Sequence, residues 1–241
     1  MNNAFNVDIS DISILPQDLS FEKTKLSEFM QKEIFTKRQN KKRVLDGKKL
    51  EEAWFSPITA DYFISHKRED AEKARILGAY LQSKGKTVFI DSSIWGNISK
   101  LQRLIDDDYC QNDDKSFYIY DKRNKSTSYT HMLLANALLK TIAACENFIF
   151  LNTPNSINAV DIVTDTAETN SPWIYFEINV ANALLKKCIN ENFSEESVRD
   201  SMVEMSFDAD LKRFSRVNIM ELLSNIGLPI QTKQRINYFD Y

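Results

Sequence analysis

Glycine is scarce in this chain, with five in 241 residues. None stands in a G-x-G-x-x-G or G-x-x-x-x-G-K-[ST] arrangement. Both phosphate loops use glycine to let backbone N–H groups approach a phosphate, so neither the dinucleotide fingerprint nor the P-loop is present. There are two histidines, His66 and His131. They are too few and too far apart for a zinc site with cysteine partners. No G-x-S-x-G nucleophile elbow occurs. The three cysteines, Cys110, Cys145 and Cys188, are odd in number, widely spaced and without a C-x-x-C pair. Cys145 and Cys188 fall in apolar helical patterns, where a free thiol behaves as a small hydrophobe. The opening MNNAFNVDISDIS lacks the basic and apolar regions of a signal peptide. No apolar run approaches the length of a membrane span. These absences together predict a cytoplasmic protein with no membrane contact.

What is present is ordinary for a globular chain: 43% hydrophobic and 27% charged residues. The net charge of −3 gives no electrostatic case for nucleic acid. The basic run Lys37-Arg38-Gln39-Asn40-Lys41-Lys42-Arg43 is local and reads as a solvated helix end or loop.

The chain divides by pattern into three parts. Residues 1–57 are expected to form a helical appendage, with Leu26, Phe29, Met30, Ile34 and Phe35 at helical spacing after Ser20. Leu50, Trp54 and Phe55 predict a second short helix before Pro57. Residues 58–190 carry the core domain. Tyr62-Phe63-Ile64, Thr87-Val88-Phe89-Ile90 and Asn147-Phe148-Ile149-Phe150-Leu151 read as strands. A helix with Ala71, Ala74, Leu77, Gly78 and Leu81 inside stops at Lys84-Gly85. Residues 92–128 look polar and irregular, with an extended piece at 117–120. A long helix is predicted from about Tyr129 to Ala144, and another from Trp173 to about Cys188. The segment 191–241 is expected to be mainly helical, completing or flanking the domain, with no clear further strand. Continuously apolar strands separated by helices require a sheet covered on both faces. The fold class is therefore α/β, a flavodoxin-like doubly wound parallel sheet with helical N- and C-terminal additions.

In an open sheet of this kind, ligands bind outside the carboxyl ends of the strands. Those ends are Ser65-His66-Lys67-Arg68, Asp91-Ser92-Ser93 and Asn152-Thr153-Pro154-Asn155. The helix after the third strand starts on the same edge. At 100° per residue, Ile174, Ile178, Ala181, Leu185 and Cys188 form its apolar arc, and Tyr175, Asn179, Asn182 and Lys186 its polar face. Glu177 falls on the flank of the apolar arc. A carboxylate there is partly desolvated and costs stability unless something compensates. Two readings stand on equal footing: a functional acid at the ligand edge, or an acid satisfying a buried loop amide or pairing with Arg68. Other polar features have plainer readings. His131 reads as a surface or capping residue at a helix start, and Asp106-Asp107-Asp108 and Asp113-Asp114 as solvated acidic turns.

Three segments in order resemble one family. Asp61-Tyr62-Phe63-Ile64-Ser65-His66, followed by Glu69-Asp70, resembles the first strand and box of bacterial TIR (Toll/interleukin-1 receptor-like) domains. Lys84-Gly85-Lys86-Thr87-Val88-Phe89-Ile90-Asp91 resembles the second strand with its terminal aspartate. Ser171-Pro172-Trp173-Ile174-Tyr175-Phe176-Glu177 resembles the SPW-x-x-x-E segment holding the catalytic glutamate of NAD-cleaving members. The resemblance covers about half the chain. It implies cleavage of NAD, as substrate rather than cofactor, at the nicotinamide–ribose bond, with Glu177 as the catalytic carboxylate. Ser65, His66 and Arg68 take positions that line the nucleotide pocket in the family. Asp91 ends the strand leading into the gating loop, and Trp95 in that loop would stack on a base or nicotinamide. Trp173 is counted with the pocket, although packing the helix start is its first role.

Nearly free-standing bacterial TIR proteins are similar to the sensor enzyme of the Thoeris anti-phage system. That similarity implies a cyclic or conjugated ADP-ribose signal, a separate effector that reads it, a phage trigger and homo-oligomer contacts between TIR domains. The chain departs from the family in its long 92–128 stretch, its N-terminal appendage and its missing late strands. The alternatives are a non-catalytic TIR adaptor and a deoxyribosyltransferase-like nucleoside enzyme.

Overall fold

A computed structural model describes residues 1–22, 36–39, 42–54, 58–90, 92–157, 159–161, 166–185 and 206–228. In chain order it contains β1 (Asn3–Asp8), a 3-10 turn (Ile12–Ile14), β2 (Thr36–Gln39), β3 (Lys42–Leu45) and α1 (Gly47–Trp54). There follow β4 (Tyr62–Ser65), a 3-10 turn (Arg68–Asp70), α2 (Ala71–Ser83), β5 (Val88–Ile90), α3 (Ser92–Ile105), a π-helical segment (Asp106–Cys110) and α4 (Tyr120–Ala144). The last part holds β6 (Asn147–Asn152), β7 (Ala159–Asp161), β8 (Thr166–Thr169), α5 (Pro172–Leu184), β9 (Phe207–Asp208), β10 (Ser215–Asn218) and α6 (Ile219–Asn225).

The central sheet has five strands in the order β10-β1-β6-β4-β5. Every pairing in it is parallel. Counted from β4, this is the flavodoxin-like order 2-1-3-4-5, except that β1 takes the fourth place and β10 the fifth. Residues 3–8 are thus an inner strand of the main sheet, which corrects the expected helical appendage over 1–57. The pairing partners of β1 lie at 147–152 and 215–218, so nothing local in NAFNVD reveals the strand. The helix expected around Leu26 to Phe35 lies outside the described residues. The basic run at 37–43 contributes to the antiparallel β2–β3 hairpin, not to a helix end. β10 likewise supplies the late strand that was not expected after 190, although residues 190–205 lie outside the described part.

Two layers of side chains follow from strand alternation. Phe63, Phe89, Phe148 and Phe150 point to one face, under Ile98 and Leu101 of α3, Leu134 and Leu138 of α4, and Ile174 and Ile178 of α5. The Phe63 and Phe148 rings stack at 5.4 Å. Val7, Tyr62, Ile64, Ile149 and Leu151 point to the other face, under Leu77 and Leu81 of α2 and Leu222 of α6. Gly78 lets the Phe21 ring approach α2, where a Cβ would lie 2.8 Å from a ring carbon. Gly85 ends α2's last turn at φ +75°, a conformation that suits glycine.

Three further readings change. Residues 92–105 are helical, so Trp95 sits on α3 and not in a loop. α4 begins at Tyr120, nine residues earlier than expected, which places His131 in mid-helix. Asp106 is buried rather than solvated, and accepts from Ser126 Oγ (2.6 Å), Gln102 Nε2 (2.9 Å) and Arg123 Nε (3.2 Å). Three donors compensate the lost hydration of its charge. Cys110 and Cys145 are buried free thiols. Burial pushes Cys145 up to about 11, so it stays protonated and inert near neutral pH. Among the described residues no helix is long and apolar enough to cross a membrane.

The place of β1 is testable. Val7→Ala removes wholly buried methyl groups from the sheet interior, and should lower the global unfolding free energy by about 1.5–3 kcal/mol in chemical denaturation. A detachable appendage would leave unfolding of the 58–228 core unchanged.

Candidate functional site at the sheet switch point

From β4 the chain moves outward to β5, then returns across β4 to β6. Connections diverge at the carboxyl ends of β4 and β6, which makes that crevice the topological switch point. Ser65 is the last residue of β4, two residues beyond Phe63 and so on the same sheet face. α5 packs on this face. Its start is set by Ser171, whose side chain accepts from the Ile174 N–H at 3.3 Å, and by Pro172 in the first turn. The second turn of α5 then delivers Glu177 over Ser65.

Ser65 Oγ donates to Glu177 Oε2 at 2.6 Å. Both residues are wholly buried. The bond joins the end of β4 to α5 across 112 residues of chain. A hydroxyl-to-carboxylate bond this short is strong and directional, and it fixes the rotamer of the acid. The alternative pairing of Glu177 with Arg68 is not observed: Arg68 is exposed and opens the 3-10 turn. His66 is buried beside Ser65.

A second buried acid fastens the crevice walls. Asp70 accepts from Thr153 Oγ1 (2.6 Å), Asn155 Nδ2 (3.2 Å) and Lys73 Nζ (3.0 Å). Burial alone would push its carboxyl up, but the donors from Thr153, Lys73 and Asn155 outweigh this and hold it below the usual range. Asp70 follows β4 and Thr153 follows β6, so this cluster spans the switch point. Ser156 tightens the same loop, donating to the Leu151 carbonyl at 2.9 Å.

The remaining expected site residues separate. Trp173 is half-buried and meets His131 (5.7 Å) and Phe176 (6.3 Å) edge-on, a packing role at the start of α5. Trp95 lies on α3 with its side chain outside the described residues, and Asp91 lies outside them altogether. Asn182, assigned to the polar face of its helix, is buried and donates to the Asp210 carbonyl at 2.7 Å.

The pattern reading missed Asn6 and Asp8. Asn6 pairs in register with Phe150, and Phe150 with Ser65, so the three form one row across β1, β6 and β4. Two strand spacings put Asn6 about 10 Å from Ser65. It is buried, and its Oδ1 has no hydrogen-bond partner among the described residues. Asp8 ends β1 on the same edge, and the Ser10 N–H and hydroxyl, aided by Arg216, hold it below the usual carboxylate range. The only available signal was a polar N-x-D at a strand end, visible once 3–8 is known to be a strand. Among the described residues no group of three or more histidines, cysteines or acids is placed to hold a metal ion. No protein-family model, curated protein or solved structure matches this chain.

Asp70→Asn should destabilise the fold at neutral pH by about 1–3 kcal/mol, because buried Thr153, with Asn155 and Lys73, loses a charged acceptor. Since the folded-state pKa lies below the ordinary 3.8, the contribution is present above that value and fades as pH falls through the folded pKa. Denaturation curves of the two proteins should therefore converge in acid. A gap that stays constant down to that range would show that the Asp70 charge has no part in the clamp.

Proposed function

We propose that this chain is a TIR-like enzyme that cleaves the nicotinamide–ribose bond of NAD, with Glu177 as the catalytic carboxylate. The observation that carries the reading is the Ser65–Glu177 bond at the switch point. It joins two of the three segments whose resemblance suggested the family. Nicotinamide is bound to ribose as a cationic pyridinium and departs neutral, so its loss requires no general acid. What the site has to supply is a negative group beside the ribose, where an oxocarbenium-like charge develops. Glu177 has that role, and Ser65 positions it. Water, a nucleophile on the same molecule, or a hydroxyl or amine of an acceptor then bonds to the ribose carbon that nicotinamide left, any proton it carries passing to solvent, to give free, cyclic or conjugated ADP-ribose. The anti-phage role, the phage trigger, the separate effector and assembly through TIR contacts belong to the same proposal. Because Glu177 and Ser65 have no exposed surface, binding of NAD has to displace the groups that cover them.

That complete burial favours a second reading, a non-catalytic interaction module in which the pair is a satisfied core contact. Incubation of the full chain with NAD, with and without infected-cell lysate, followed by mass spectrometry of the products, separates the two. The enzyme reading expects nicotinamide release, reduced at least about 100-fold in Glu177→Gln. The amide can still accept from Ser65, so circular dichroism and the thermal midpoint should change little. A folded Gln variant with undiminished turnover removes Glu177 from the chemistry, and inert wild type under both conditions favours the interaction module. Cleavage of deoxynucleosides in place of NAD would reassign the crevice to nucleoside transfer.

A further inference from the structure

A separate cavity of about 570 Å³ lies between α1, the π-helical segment and α4. No switch-point residue lines it. Its walls are mostly apolar, with Leu50 from α1, Tyr109 from the π-helical segment, and Tyr129, Met132 and Leu133 from α4. Tyr129 and Met132 are 65% and 60% exposed. The volume is in the range of small-molecule sites, about 300–1,000 Å³. A π-helical turn in the wall is a rare element that tends to be retained where it serves a site.

Charge narrows the occupant. Lys122 and Lys125 line the same cavity, one turn apart near the start of α4. Cations at a helix N-terminus oppose the helix dipole, and α4 has Asp121 as the sole acid in its first turn. Arg123 between them is accounted for by buried Asp106 at 3.2 Å. Among the described residues neither lysine has an ion-pair partner. Two exposed cations, Lys122 in the first turn against the dipole and Lys125 one turn on, therefore flank an apolar cavity, where one negative group would satisfy both them and the helix end. Such a local conflict is expected at a functional position.

We propose that this cavity binds a small amphipathic anion: an apolar body against Leu50, Met132 and Leu133, and a single carboxylate or comparable head at Lys122 and Lys125. Met132, unbranched and adaptable, suits a body of variable shape.

The test uses the full chain and dodecanoate below its micellar range, with dodecanol and dodecyltrimethylammonium for comparison, read by calorimetry and thermal shift. Dodecanoate should bind one-to-one and raise the thermal midpoint, more at low ionic strength than at high. Lys122→Glu with Lys125→Glu should weaken dodecanoate at least about tenfold while leaving dodecanol within about twofold. The Lys122→Glu single variant, with an acid now in the first turn, should be no less stable than wild type when free. Met132→Trp, which fills the cavity, should weaken both ligands. Equal binding of the cationic amphiphile would overturn the proposal, as would binding indifferent to both sets of substitutions. So would a concentration-dependent dimer lost in Met132→Trp, or flotation with anionic vesicles in the absence of dodecanoate binding, since the face would then belong to a second copy or to a lipid surface.

Discussion

A parallel sheet has to be covered on both faces, and this requirement organises the molecule. The strands cannot be joined by tight turns, so each connection crosses a face and leaves a helix there. α2 and α6 cover one side, and α3, α4 and α5 the other. Phe63, Phe148 and Phe150 supply the bulk that holds the larger layer. The position of Glu177 follows from the same constraint. α5 has to press an apolar arc onto those rings, and an acid on the flank of that arc is carried into the interior with it. There it meets Ser65, which alternation directs to the same face.

How far the structure could be read from the sequence differs between elements for physical reasons. β4, β5 and β6 are short, continuously apolar runs, and burial on both faces produces that pattern directly. β1 carries Asn3, Asn6 and Asp8, and β10 has Val217 as its sole apolar residue. Their strand character comes from pairing with distant partners, which no local periodicity records. α3 was hidden because Ser92-Ser93 and Gly96-Asn97 weaken its helical signal while Ile98, Leu101 and Ile105 pack it in place. Within the segment expected to be mainly helical, α6 is such a helix, and Asn218 and Glu221 form a capping box at its start.

The site shows the same division. Ser65 and Glu177 were found because strand ends and a helical wheel converge on one edge of the sheet. Their direct bond depends on how α5 sits on β4, which is a packing outcome. The clamp from Asp70 to Thr153 and Asn155 went unread because an acid in a polar turn looks solvated in sequence, and Asp106 failed for the same reason. Asn6 and Asp8 were lost along with their strand. The proposed chemistry and the amphiphile cavity use different parts of one helical layer, the first on α5 and the second on α4 and α1.

The central place of β1 bears on how the protein is made. Its neighbours in the sheet are residues 147–152 and 215–218. During synthesis β1 emerges long before either, and must remain unpaired while most of the remaining chain is translated. Pairings this distant give a high contact order, which slows folding and prolongs exposure of strand edges. The polar residues that hide β1 from a pattern search, Asn3, Asn6 and Asp8, are well suited to that interval. They keep the waiting strand less sticky than an all-apolar one, and a chaperone's demand on this chain should centre on the period before β6 and β10 arrive to close the sheet around it.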